Sequence, residues 1–318
     1  MPTLRIHALA LTLALPLLLP TASRGGEPPS RPAQLTLAGA LDRGGIVTVA
    51  RMQALPVVKS GGRTPAAPAY IGASLWSLLD QAGLQIDATQ RNDLLNRYAV
   101  VTGADGQRAV FSIGELSPHF GNRPGLVAYA ETVGGAASPL RDAGAVQVMA
   151  SGDVQGGRHV PWPVRVEVRR SASTLPDLGD GTSSAVRVSG AVRRPGTFDL
   201  AALKALPAVT RTVGGETYTG VSLWHLLNTT LGLAVDPAVR HHAQGMYVVA
   251  TGSDGCKVVI SLGEIDPAGG NQPDLVAYLV NGAPIDIEGF ARLILPNDVR
   301  PTRFVSNLVA LEVFVARP

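Results

Sequence analysis

Residues 98–118, YAVVTGADGQRAVFSIGELSP, return at 247–267 as YVVATGSDGCKVVISLGEIDP. Four further pairs keep the same order along the chain. LTLAGALDRGGIVTVARMQALP from Leu35 matches VRVSGAVRRPGTFDLAALKALP from Val186, and YIGASLWSLLDQAGL from Tyr70 matches YTGVSLWHLLNTTLGL from Tyr218. GNRPGLVAY at Gly121 answers GNQPDLVAY at Gly270, and DVQGGRHVPWPVRVEV from Asp153 answers DVRPTRFVSNLVALEV from Asp298. Five matches in one order read as a tandem duplication, which constrains the chain to two like units. The units span residues 35–170 and 186–318. Each is large enough to bury its own core, so the second is expected to fold alone. Residues 24–34, RGGEPPSRPAQ, form a polar leader, and residues 171–185, SASTLPDLGDGTSSA, have the composition of a flexible linker.

Within the second unit Val186–Val192 reads as a strand, and Asp199 as the N-cap of a short helix, LAALKAL, stopped by Pro207. Ser222 caps a second helix, LWHLLNTT. YVVAT and CKVVIS flank Ser253-Asp254-Gly255, a tight-turn sequence that predicts a hairpin. LVAYLV, Asn281-Gly282, ARLIL and LVALEVFV supply further strands and turns. With 36 Gly, 24 Pro and only 16% charged residues, short strands joined by many turns are favoured over long helices. No regular βαβ rhythm runs through the pattern, so the fold class is α+β, mainly β.

The first residues, MPTLRIHALALTLALPLLLPTAS, carry one cation at Arg5, an apolar run and small residues at its end, which predicts a cleaved export signal over residues 1–23. The run is too short and too broken by proline to span a bilayer, and no later stretch is long and apolar enough. It lacks an Arg-Arg pair, so the expected route is the general secretory one, which threads unfolded chains. A periplasmic protein without a membrane span is expected. The net charge of +3 is scattered, with no basic block, which argues against nucleic acid. The single cysteine, Cys256, has no internal disulfide partner. G-x-S-x-G, P-loop, C-x-x-C and H-E-x-x-H patterns are all absent.

The ordered set Tyr218 to Leu227, Val248 to Ile265, Leu275 to Pro284, Ala291 to Asp298 and Arg303 to Leu308 resembles the oxidoreductase molybdopterin-binding domain of the sulfite oxidase family. The resemblance covers nearly all of the second unit and, more weakly, the first. It implies two tandem sulfite-oxidase-like domains and, in such a family, a cysteine thiolate bound to molybdenum just upstream of the Tyr-x-Gly-Val segment. Residues 208–217, AVTRTVGGET, and residues 57–69, VVKSGGRTPAAPA, hold no cysteine, so the implied ligand is missing twice. Cofactor-bearing exported members of the family generally fold around the cofactor before leaving by the twin-arginine route, whereas a secretory chain would arrive empty. The resulting expectation is a cofactor-free binding or interaction module taking a small anionic ligand or a periplasmic partner protein. The alternative is a molybdopterin-dependent oxidoreductase with a non-Cys site. VSGAVRRPGTFDL also resembles the opening of β-grasp domains that bind soluble ligands in polysaccharide export, a third reading.

Arg292, Arg300 and Arg303 cluster near the end of the second unit, where guanidinium forks suit phosphate or carboxylate. Their first-unit counterparts are Gln147, Gln155 and Arg158. Asn271 and Asn122, each after Gly, are candidates to contact a ligand or to brace a loop. Glu264 and Glu115 occur in both units, which argues for tying down a turn more than for a general base. Cys256 stands where the first unit has Gln107, so a plain thiol without a ligand role is expected, and no metal-ligand set is assigned. Adjacent His241-His242 point apart on regular structure and make a weak metal site. Catalytic residues are not assigned.

Overall fold

A computed structural model of the protein describes residues 34–317 apart from 62–67, 134, 141–145, 155, 180 and 286–288. The expected signal, residues 1–23, lies outside the described residues, as does the leader except Gln34. The described residues all belong to one compact unit. None of its helices is long and apolar enough to cross a membrane.

The first half contributes β1 (Leu35–Gly39), β2 (Gly45–Val47), β3 (Val57–Gly61), β4 (Ala69–Ser74), β5 (Arg97–Gly103), β6 (Arg108–Ser112), β7 (Leu126–Val133), β8 (Ala136–Pro139), β9 (Gln147–Met149) and β10 (Pro163–Arg170). The second contributes β11 (Val186–Gly190), β12 (Gly196–Phe198), β13 (Ala208–Val213), β14 (Glu216–Ser222), β15 (Met246–Gly252), β16 (Lys257–Ser261), β17 (Leu275–Val280), β18 (Ala283–Pro284), β19 (Arg292–Ile294) and β20 (Leu308–Val315). One sheet of the first half runs β2-β1-β10-β5-β6 and the other β3-β4-β7-β8, with β9 on β7. The second half has the same two orders: β12-β11-β20-β15-β16, and β13-β14-β17-β18 with β19 on β17. β1 lies parallel to β10 and β11 to β20, while the other pairings are antiparallel, which makes the fold mostly β in mixed sheets.

Short helices sit where the turn chemistry puts them: α1 (Val49–Gln53), α2 (Leu75–Ala82), α3 (Ile113–Leu116), α4 (Leu200–Lys204) and α5 (Leu262–Ile265). Asp199 Oδ1 accepts the Ala202 N–H at 2.8 Å, the cap the sequence predicts. Ser74 caps α2 through the Ser77 N–H at 3.0 Å. Its counterpart Ser222 opens a helix that widens into a π turn over His225–Thr230. The cause is one extra residue between Ser222 and Leu233 compared with Ser74 and Leu84, because both leucines make the same isolated bridge, to Val192 and Leu41. A π turn absorbs an inserted residue without moving the ends.

The hairpin strands are apolar at almost every position because both of their faces are covered. Ala99, Val101, Ala109 and Phe111 face the core between the first half's two sheets. Val248, Ala250, Val258 and Ile260 do the same in the second half. The alternate residues Tyr98, Val100, Val110, Tyr247, Val249 and Val259 pack together in a third core joining the halves. There the Tyr98 and Tyr247 rings lie 4.4 Å apart, and Tyr247 stacks on Phe314 at 5.4 Å. Leu95 and Phe120 of the first half also pack into the second half's own core.

The segment of linker composition is tied down at several points. The Ala172 N–H donates to the Tyr247 hydroxyl at 3.2 Å, Lys257 Nζ to the Leu175 carbonyl at 2.7 Å, and the Ser183 N–H to Asn307 Oδ1 at 3.2 Å. Small polar residues there let the backbone lie close to its neighbours; they do not leave it loose.

Candidate functional site

The ionisable residues written twice converge where the halves meet. Glu115 pairs with Arg158, which also forks onto Asp153 at 2.9 and 2.7 Å. Glu264 pairs with Arg303 at 2.7 Å, and Arg303 forks onto Asp298, both contacts at 2.6 Å. Each cluster reaches into the other half. Arg158 donates to Ser261 Oγ at 3.2 Å and Arg303 to Ser112 Oγ at 3.5 Å, while the two hydroxyls donate to Glu115 at 3.0 Å and Glu264 at 3.4 Å. The same serines cap α3 and α5 by accepting the Glu115 and Glu264 N–H groups at 2.9 and 3.1 Å.

One substitution breaks this reciprocity. Arg123 crosses from the first half to Glu264 at 2.5 Å, whereas its counterpart Gln272 brings no charge and accepts from Arg123 at 3.1 Å. Burial pushes both glutamates up. For Glu264 the guanidiniums of Arg303 and Arg123 override it and hold the carboxyl at about 2. Glu115 stays above its ordinary range, because burial and the neighbouring Glu264 outweigh the pull of Arg158. Asp274, fully buried where the first half has Gly125, is pushed well up by burial and Glu264, and its Oδ2 has no hydrogen-bond partner among the described residues.

These clusters hold the halves together. Every N–H of the Arg303 guanidinium meets an internal acceptor and the side chain has no exposure, so its expected role in external anion capture gives way to a structural one. Removing one member of such a buried pair leaves an uncompensated charge and costs about 3–5 kcal/mol. The two glutamates brace the fold, as their double occurrence suggests, but through arginines and across the seam.

The other two arginines of the expected cluster meet in a cleft of about 470 Å³ in the second half. Arg292 enters it from β19, with its guanidinium 5.4 Å from the centre of the Phe304 ring, and Arg300 enters from the loop after Pro296. The opposite wall is the β13–β14 hairpin, with Thr212, Val213, Gly214, Glu216 and Tyr218. The Tyr218 hydroxyl donates to Glu216 at 2.5 Å. This hairpin is the segment in which the resemblance implies a cysteine. In the first half Gln147 stands for Arg292 and His159 for Phe304, and these two bond to each other at 2.7 Å. Burial holds the His159 imidazole below its ordinary pKa. Gln155, opposite Arg300 in sequence, lies outside the described residues.

The remaining candidates lie elsewhere. Asn271 is not in the cleft; at φ 49° it takes a left-handed bend and its N–H donates to the Asp266 carbonyl at 3.0 Å, as Asn122 at φ 51° does to Ser117 at 2.9 Å. Cys256 is buried, accepts from Asn92 Nδ2 at 3.4 Å, and burial pushes its thiol up, which leaves it a poor nucleophile. His241 occupies a left-handed position at φ 54°, and His242 Nδ1 accepts the Asp236 N–H at 3.1 Å. Sequence reasoning missed Arg123 and Asp274. The available signal was that each is a charged residue facing a neutral one in an otherwise matched stretch, GNRPG against GNQPD.

Fold and cleft together define a mainly β protein whose two like-ordered halves share a core and whose second half carries an arginine-lined pocket. No family model and no curated protein matches the chain. Among solved structures it is similar to the sulfane dehydrogenase SoxCD from Paracoccus pantotrophus, at 19% identity and a TM-score of 0.34, over 47% of this chain and 42% of that one. The chain thus spans less than half of that protein's length, and a likeness of this size decides neither fold nor chemistry.

The molybdenum centre implied by the family resemblance can be tested against the donor set. The hairpin presents hydroxyl, carboxylate and phenol groups but no thiolate, and Cys256 lies in the β15–β16 turn beside Asn92. No group of three His, Cys, Asp or Glu side chains converges among the described residues. These residues do not fit a cysteine-ligated molybdenum.

Proposed function

We propose that the protein is an exported binding module, built on a duplicated scaffold of the kind the sequence resembles, that takes a small anionic ligand in the second half. The observation that carries this reading is the convergence of Arg292 and Arg300 on one cleft, where the first half has glutamines in sequence. Guanidinium forks bind carboxylate and phosphate in two-point fashion, and a partly enclosed cleft strengthens the contact over that in open water. Arg303 supports the site indirectly, since it anchors Asp298 at the base of the loop that carries Arg300. An oxidoreductase working through a cysteine-held metal finds no support in these side chains.

Isothermal titration of the full chain with inorganic phosphate and with acetate tests the reading. Arg292→Gln, which installs the first half's residue, is expected to weaken phosphate binding about tenfold, the loss of one charge-assisted hydrogen-bond pair. Phosphate binding that is absent, or unchanged in the variant, would overturn it.

A further inference from the structure

We propose that a second cleft, lined by the first half and by Arg300 of the second, binds the planar ring of an aromatic monocarboxylate. The inference rests on the anion-binding reading above, because Arg300 lines both clefts. The cavity measures about 510 Å³, enough for a small ligand. Trp76 of α2 and Leu94 form part of its wall, Ile86 is 53% exposed beside them, and His119 and Phe120 come from the turn after α3. The loop bearing Arg300 is held against this wall by the Val299 N–H, which donates to the Phe120 carbonyl at 2.8 Å. A backbone bond between the halves therefore holds the loop that carries Arg300 beside the aromatic residues.

Two observations point to the ligand class. Trp76, Phe120 and His119 offer aromatic faces and edges, the last two rings lying 6.5 Å apart at 70°, and such surfaces favour a flat ring over an aliphatic chain. Arg300 supplies a fork for one carboxylate, while Asp80 in the same lining opposes a second negative charge. The matched stretch of the second half keeps the tryptophan, as Trp224, but replaces His119-Phe120 by Ala268-Gly269, and Arg300 faces Gln155 in sequence. The aromatic pair stands in the first half and the cation in the second, and their matched residues, Ala268-Gly269 and Gln155, supply neither an aromatic ring nor a charge.

Isothermal titration of the full chain with 2-naphthoate, with acetate as the ring-less control and phosphate as the control for the Arg292 cleft, tests the proposal. The naphthoate is expected to bind about tenfold tighter than acetate. Phe120→Leu keeps the apolar contact with the second half's core and is expected to weaken the naphthoate about threefold or more, with phosphate unaffected. Arg300→Gln, at an exposed position, is expected to weaken the naphthoate about tenfold and keeps the test decisive if Phe120→Leu does not fold. Equal affinity for naphthoate and acetate, or naphthoate binding indifferent to both variants, overturns the aromatic site. If phosphate still depends on Arg292 in that case, the anion cleft stands and only this inference falls. If none of the three probes binds, both fall.

Discussion

At the scale of single residues, the differences between matched positions matter more than the matches. Arg123 against Gln272 gives Glu264 two guanidiniums and leaves Glu115 with one. Glu264 is held at about 2, below the 4.5 of a free glutamate, so its contribution to stability is fully present above pH 4.5 and is lost as pH falls from there towards 2. Arg123→Gln is expected to raise that carboxyl, shrink the contribution and move the acid-unfolding midpoint to higher pH. Circular dichroism along an acid titration checks this, and an unmoved midpoint would show that Arg303 alone sets Glu264. Asp274 has the opposite sign. Its carboxyl is pushed well above 3.8, so the folded state holds a proton that the unfolded state releases, and stability falls as pH rises through that window. Asp274→Asn removes the loss. The variant is expected to melt at a higher temperature than the parent at mildly alkaline pH and to show a flatter dependence on pH, as read by thermal melts across the range.

At the scale of elements, most of the strand and cap pattern is legible because it is local chemistry. Asp199 caps α4, Ser253-Asp254-Gly255 turns between β15 and β16, and Asn281-Gly282 turns after β17, each at the place the sequence marks. The π turn after Trp224 reads as an ordinary helix until the two halves are counted against each other. The glycine of Tyr-x-Gly-Val also has a local reason that only the pairing reveals. At the register shift between Thr219 and Gly220, β14 and β17 approach so closely that a side chain at Gly220 would collide with the Val276 carbonyl. Gly72 meets Val127 in the same way. Gly220→Ala is therefore expected to part the two strands, at a cost of about 1–3 kcal/mol or more. Urea unfolding measures it, and a variant as stable as the parent would mean that the strands yield easily.

At the scale of the whole molecule, the two halves depend on each other. Taken alone, residues 186–318 would expose Tyr247, Val249 and Val259 and leave Glu264 without Arg123 and Ser112. The independent folding expected from domain size is thereby disfavoured, and the isolated half is predicted to self-associate through that face or to lack a cooperative transition at low concentration. Sedimentation and denaturant unfolding would decide, and a monomer as stable as the full chain would sink the prediction. The sequence by itself determined the mainly β class, the hairpins, the caps and the pairing of like segments, because these depend on neighbours a few residues apart or on direct comparison of two stretches. It also held an unread sign of the seam: YAVVT and YVVAT are apolar on both faces, which a single core does not require. Only the tertiary structure decided that Arg303 is consumed by Glu264 and Asp298 while Arg292 and Arg300 line a cleft. Arginine looks alike in sequence whether it is buried or exposed. Its role depends on which carboxylates the fold brings within hydrogen-bond reach, and Glu264 lies 39 residues from Arg303 and 141 from Arg123.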